Sequence, residues 1–374
     1  MSLIGLTVLP GLTGCSDDSD PVQPRTTVQI VPCARPFAEE PLAATRSWTP
    51  PDGYKLYEDA SVRIHEWQTN LTNSSITVFF TKADGSQEQG NFFYYGGDSK
   101  WRTSVEMEAS GVYYLYGFIP SDTGVTASVT APEGSGFADG AVLTLSGLPT
   151  VTPNDICVVV GAKGGTSPET VTGLATGQFA YQAAGNANYI FLLFDHLYSA
   201  LNFKVKVDAD YAKLRTIRLK RMTLKPYNGT TECKASTDVT VTLQANDTGT
   251  SPITGTITYT PTAGADTSAQ PLFEPADTDG NELTTTEQNL RGCFTPAGIT
   301  KFVLTSKYDV YDKQENLIRQ NCQAENTIDI SKMEDFGTTS ITRGTMFNIH
   351  LTIQPTYLYV LSDPDLDNPT VTLH

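Results

Sequence analysis

Val112-Tyr113-Tyr114-Leu115-Tyr116-Gly117-Phe118-Ile119-Pro120 decides the fold class of this 374-residue chain. Aromatic and branched side chains suit a pleated surface, and Pro120 closes the strand because it has no N–H for a ladder. The same grammar repeats on either side at intervals of roughly 10–15 residues, with turn residues between. Upstream, Val62–Gln68 and Ile76–Phe80 alternate, Asp84-Gly85 marks a turn, Asn91–Tyr95 is aromatic, and Trp101–Met107 alternates again. Downstream come Val142–Leu145 and Ile156–Val160. The second of these is apolar on both faces, which predicts a central strand. Further strands are expected in Phe191–Val207, Leu214–Leu224, Thr237–Leu243, Thr254–Thr260, Lys301–Tyr308 and Thr327–Ile330. No stretch of helix length carries a 3.6-residue period; residues 331–336 make a single turn at most. The chain reads as all-β, with the strand spacing of sandwiches.

Length and charge bound the rest. A chain of 374 residues predicts two domains of about 150–180 residues each. A composition shift at Ala183–Asn188 marks the boundary between them. The net charge of −16 repels nucleic acid and anionic lipid faces. No apolar run reaches the ~18 residues of a membrane span.

The N-terminus carries a different signal. Residues 1–14 are Leu-rich and end at Leu12-Thr13-Gly14-Cys15, which reads as a lipobox, although the first basic residue is Arg25. Cys15 would take the lipid, holding the protein on a membrane through buried CH₂ groups. An acidic stretch follows at Ser16–Asp20, then a strand-like piece at Thr27–Val31 and a Pro-rich connector.

The C-terminus is unusual in another way. Odd positions from Phe347 to Leu361 are apolar, through Pro355, Tyr357 and Tyr359. Either the chain bends at Pro355, or its end extends beyond its own domain and buries that face elsewhere.

The sequence resembles the fimbrillin-like proteins, lipoprotein precursors of type V pilus subunits. The resemblance lies in the lipobox Leu12–Cys15, in Thr45-Arg46-Ser47-Trp48, in Tyr113–Pro120, in Phe194-Asp195-His196-Leu197 through Phe203-Lys204-Val205, and in Pro355–Leu361. It implies two transthyretin-like β-sandwich domains and assembly by strand exchange. The implied layout is 1–15 as lipoprotein signal, 16–46 as leader with a removable strand, 47–187 and 188–354 as the sandwiches, and 355–374 as a donor tail. An Arg-specific protease would cut between Arg46 and Ser47, removing residues 27–31 and Cys33. The face of Tyr357, Tyr359 and Leu361 would then enter the groove of another subunit by β-augmentation. Implied partners are other pilus subunits, the maturation protease, a lipid anchor in the outer membrane, and a host protein or glycan ligand. The implied location is the cell surface. An uncleaved anchor or tip subunit is the variant reading; a surface glycan-binding lipoprotein is the alternative.

Sharper chemistry is thin. His65, His196, His350 and His374 lack metal-like spacing, so no metal, cofactor or catalytic residue is expected and the chain reads as a non-enzyme. His196 is expected in the core or at the domain junction. Asp363, Asp365 and Asp367 alternate like a calcium loop but lack its Gly, so a solvated turn is expected. Asp277–Asn281 reads as a turn, and Gly161–Gly165 does not fit a phosphate loop. Trp48, Trp67 and Trp101 are candidates for sugar stacking, with the core as the commoner fate. For Cys233, Cys293 and Cys322, a disulfide among them and buried free thiols both stay open, and Cys157 has no assigned partner.

Overall fold

The computed structural model describes residues 25–34, 38–39, 75–95, 100–119, 124–165, 174–185, 188–245, 256–275, 279–333 and 338–353. These residues are all-β apart from one short helix and two 3₁₀ turns. The strands up to residue 196 are β1 (Arg25–Ala34), β2 (Ala38–Glu39), β3 (Ser75–Thr81), β4 (Gln87–Tyr95), β5 (Lys100–Glu108), β6 (Val112–Ile119), β7 (Thr126–Thr130), β8 (Gly140–Pro149), β9 (Cys157–Gly165), β10 (Ala180–Gln182) and β11 (Asn188–His196). Those that follow are β12 (Ser199–Val207), β13 (Thr216–Asn228), β14 (Thr231–Glu232), β15 (Ser236–Gln244), β16 (Ile257–Pro261), β17 (Gln270–Phe273), β18 (Asn281–Leu283), β19 (Gln288–Asn289), β20 (Cys293–Thr295), β21 (Lys301–Tyr311), β22 (Leu317–Asp329) and β23 (Thr345–Ile353).

The largest sheet runs β10-β6-β3-β4-β5-β1-β11-β9, and β9 pairs back onto β6. Seven strands therefore close a ring, and alternate side chains fill its interior. Ile76, Phe80, Phe92, Trp101, Leu115, Cys157, Leu192 and Phe194 are among those buried there. The other parity of the same strands faces outward at Phe79, Tyr116, Val158, Val160 and Leu193. A four-stranded sheet, β16-β15-β8-β7, covers this outer face with Leu143, Leu145, Val239 and Val241. The strand from Cys157 is thus central and buried on both faces, as its continuous apolar run predicts.

A second core lies between the sheet β19-β12-β23-β2, with β20 attached to β12, and the sheet β14-β13-β21-β22. Leu201, Phe203, Leu219, Phe302 and Phe347 fill it. The two-residue period of β12, in which buried and half-buried side chains alternate from Leu201 to Val207, sets which of them enter.

Two features depart from the linear reading. The chain passes from one core to the other at Leu197-Tyr198, because β11, which starts at Asn188, pairs with β9 and β1 in the first ring. Then β15 returns to pair antiparallel with β8, from Gln244 opposite Gly140 to Ser236 opposite Pro149, so one sheet draws strands from both halves. The single helix, α1 (Ala209–Leu214), is too short for a visible period; the Asp208 carboxylate caps it by accepting from the N–H groups of Asp210 and Tyr211 at 3.0 Å. The turn expected at 331–336 is a 3₁₀ turn at Ile330–Lys332.

Candidate functional site

Residues 25–34 form a strand of the ring, and residues 38–39 pair onto the sheet of the second core. Strand β1 lies between β5 and β11: antiparallel to β5, with Ile30 opposite Trp101 and Thr26 opposite Met107, and parallel to β11, with Val28 opposite Asn188 and Val31 opposite Phe191. Alternation splits its side chains. Val28 and Ile30, each 3% exposed, point into the ring, while Val31 and Cys33 point out under the covering sheet. A register shift between Thr27 and Gln29 marks a bulge on the β5 side. Strand β2 then pairs parallel with the start of β23, Ala38 opposite Thr345 and Glu39 opposite Met346. Beyond Met346, β23 is hydrogen-bonded to β12 on one side, from Leu201 opposite Phe347 to Val207 opposite Ile353. Its other flank carries no described strand.

Arg46 and Ser47, Cys15, and the Tyr357, Tyr359 and Leu361 face all lie outside the described residues, as do Trp48, Trp67, Val62–Gln68 and Asp363–Asp367. What the structure places is the strand upstream of Arg46 and the strand upstream of Tyr357. Trp101 is 1% exposed and belongs to the ring interior, so it is not a sugar-stacking surface.

A buried polar cluster sits where the chain crosses between the cores. Cys157 opens β9 and is the direct register partner of His196, the last residue of β11, so their side chains share a face. Asp155, two residues before Cys157, reaches the same histidine. His196 Nδ1 lies 2.8 Å from Asp155 Oδ2 and 3.4 Å from Cys157 Sγ. Burial, then the Asp155 carboxylate, pushes the Cys157 thiol well above its ordinary pKa. Carboxylate and thiol both address one ring nitrogen, so this histidine cannot relay a proton from one to the other, and the arrangement is no Cys–His–Asp nucleophile. Below it, Arg343 Nη1 is 3.1 Å from Asp195 Oδ2 and donates to the His196 carbonyl at 2.6 Å. Tyr259 Oη donates to the Leu197 carbonyl at 2.5 Å. Sequence spacing gave no sign of this cluster, because its members are brought together by strand register. The expectation of His196 at a buried junction is met.

Asp195 is 4% exposed and relies on Arg343 for its countercharge. Arg343→Ala is expected to cost about 3 kcal/mol, the penalty for stripping one partner from a buried pair. Arg343→Lys should recover part of that loss. Chemical denaturation measures both; a loss below about 0.5 kcal/mol would show that the charge is solvated in solution.

Cys157, Cys233, Cys293 and Cys322 are free thiols, so none of them is in a disulfide. Burial pushes Cys293 up to about 12, and burial with the neighbouring Glu232 pushes Cys233 up to about 11. Such thiols behave as small apolar groups. His350 is exposed, with Nδ1 2.9 Å from Glu287 Oε1. Among the described residues no helix is long and apolar enough to cross a membrane.

No protein-family model matches the chain, and no curated protein matches it. Solved structures do. A candidate cell adhesion protein from Bacteroides fragilis is similar at 11% identity and TM-score 0.40, over 89% of this chain and 94% of that one. Another from Bacteroides uniformis gives 10% identity and TM-score 0.39, over 88% and 94%. A fimbrial protein from Bacteroides ovatus gives 10% identity and TM-score 0.31, over 89% of this chain and 51% of that one. At such identities and scores, the functional reading has to rest on the chain's own strands.

Proposed function

We propose that the chain is a structural, non-enzymatic subunit of a cell-surface pilus that supports adhesion. It is exported as a lipoprotein through Cys15, matured between Arg46 and Ser47, and assembled by strand exchange. The observation that carries this reading is the position of β1: a central strand of the first ring that lies wholly upstream of Arg46. A cut there would detach β1 and β2 together from the body. It would leave a slot between β5 and β11 and uncover the start of β23. An extended strand with alternating apolar residues fits such a slot, with ladder hydrogen bonds giving affinity and pockets giving register. The tail with Tyr357, Tyr359 and Leu361 has that pattern.

The test uses chain 16–374 treated with an Arg-specific protease and followed by intact mass and an unboiled gel. The expected outcome is cleavage after Arg46 and a ladder of stable multimers, lost in Arg46→Ala and in a chain ending at residue 354. Cleavage without a ladder points to a tip subunit and an intact Arg46 to an anchor; either outcome overturns the polymerising role.

A further inference from the structure

We propose that Asp155, Cys157 and His196 form a structural site for a thiophilic divalent cation of the zinc class. The three groups offer one oxygen, one sulfur and one nitrogen, all within 4.8 Å of one another and all buried. That mixed donor set selects zinc over magnesium or calcium, which take oxygen ligands. Tetrahedral zinc, with bonds of about 2.0–2.3 Å, spaces its ligand atoms by roughly 3.3–3.7 Å. The sulfur–nitrogen separation of 3.4 Å already falls in that window, and the oxygen–nitrogen separation of 2.8 Å needs to open slightly.

A second observation points the same way. Asp155 Oδ1 is buried without a hydrogen-bond partner, on a residue 3% exposed. An orphaned carboxylate oxygen in a dry interior is costly. Turned to a cation beside Oδ2, it lets the carboxylate bind through both oxygens at one vertex, leaving the fourth position for a water. Charge agrees as well. With Cys157 as thiolate, it and the carboxylates of Asp155 and Asp195 carry three negative charges. Arg343, held against Asp195, supplies one positive charge. The remainder is minus two, which a divalent ion cancels. Binding releases the thiol proton to solvent, with no redox step.

The backbone makes the site rigid. Cys157 and His196 are register partners on adjacent strands, and the Leu197 N–H donates to the Ile156 carbonyl at 2.7 Å between them. The ion would close the crossing between the two cores. It would enter during folding, because no ligand is exposed.

Full-length chain is produced with zinc in the medium, dialysed, and measured for metal by mass spectrometry. One zinc per chain is expected, lost in Cys157→Ala and His196→Ala and retained in Cys322→Ala. Cobalt-loaded chain should show near-ultraviolet thiolate-to-cobalt absorption that Cys157→Ala abolishes. Since core variants can fail to fold, wild-type chain is also refolded with chelator and titrated with zinc, and its melting temperature should rise with zinc. A metal-free wild type whose melting temperature ignores zinc overturns the proposal. So does zinc that Cys157→Ala and His196→Ala both retain.

Discussion

A chain that begins at residue 47 is expected to fail to hold its first core as a monomer. Removal of β1 takes four buried apolar side chains, Val28, Ile30, Val31 and Cys33, out of two packed faces. At ~1.5–3 kcal/mol for each large side chain and less for Cys, the loss is about 5–10 kcal/mol. That rivals the whole stability of an ordinary domain, ~5–15 kcal/mol. It also strips hydrogen-bond partners from β5 and β11 at once. The expected result is a shortened chain that aggregates or melts early. A synthetic peptide of residues 25–34, added in trans, should return it to a folded monomer. Peptide with Ile30→Asp should not, since it would drive a carboxylate into the ring interior. If the shortened chain is as stable as the intact one, with no partner filling the slot, the removable-strand account is wrong.

Trp101→Ala should produce the largest single-residue effect on that slot. Trp101 stands directly opposite Ile30, is 1% exposed, and is among the largest fully buried side chains described. Truncating a buried aromatic costs ~3–5 kcal/mol, through lost transfer energy and the cavity left behind. Urea denaturation of the first core measures it, and the affinity of the 25–34 peptide should fall in parallel. A cost under about 1 kcal/mol would mean that the slot relaxes around the missing ring. In a Trp48→Phe, Trp67→Phe background, Trp101 becomes a reporter. Its emission should shift to the red when β1 leaves and return to the blue when any strand refills the slot.

How much of this was legible depends on whether the signal is local. Ile156–Val160 announces a strand buried on both faces because the requirement is written in consecutive residues. Thr27–Val31 and Phe347–Ile353 were legible for the same reason, through alternation. Pairing is a different matter. Nothing near Thr237–Leu243 says that its partner is Ala141–Leu148, roughly ninety to a hundred residues back, rather than a neighbour in its own half. The composition shift at Ala183–Asn188 runs up to the first residue of β11, while the chain crosses between the cores at the bulky pair Leu197-Tyr198, both fully buried. The Asp155, Cys157 and His196 cluster was hidden likewise. Two of its members are 39 residues apart, and a register across two strands leaves no spacing to read. Helix α1 escaped because six residues make less than two turns, leaving the Asp208 cap as its one mark.

The covering sheet has a consequence for stiffness. Strand β8 comes before the crossing at Leu197-Tyr198 and β15 after it, yet they share an antiparallel ladder along nearly their full lengths. Were the halves joined by the chain alone, each could swivel about the connection like beads on a cord. Here any such rotation must first tear rungs from β8–β15, so the molecule is braced against torsion and carries a twist at one end through to the other.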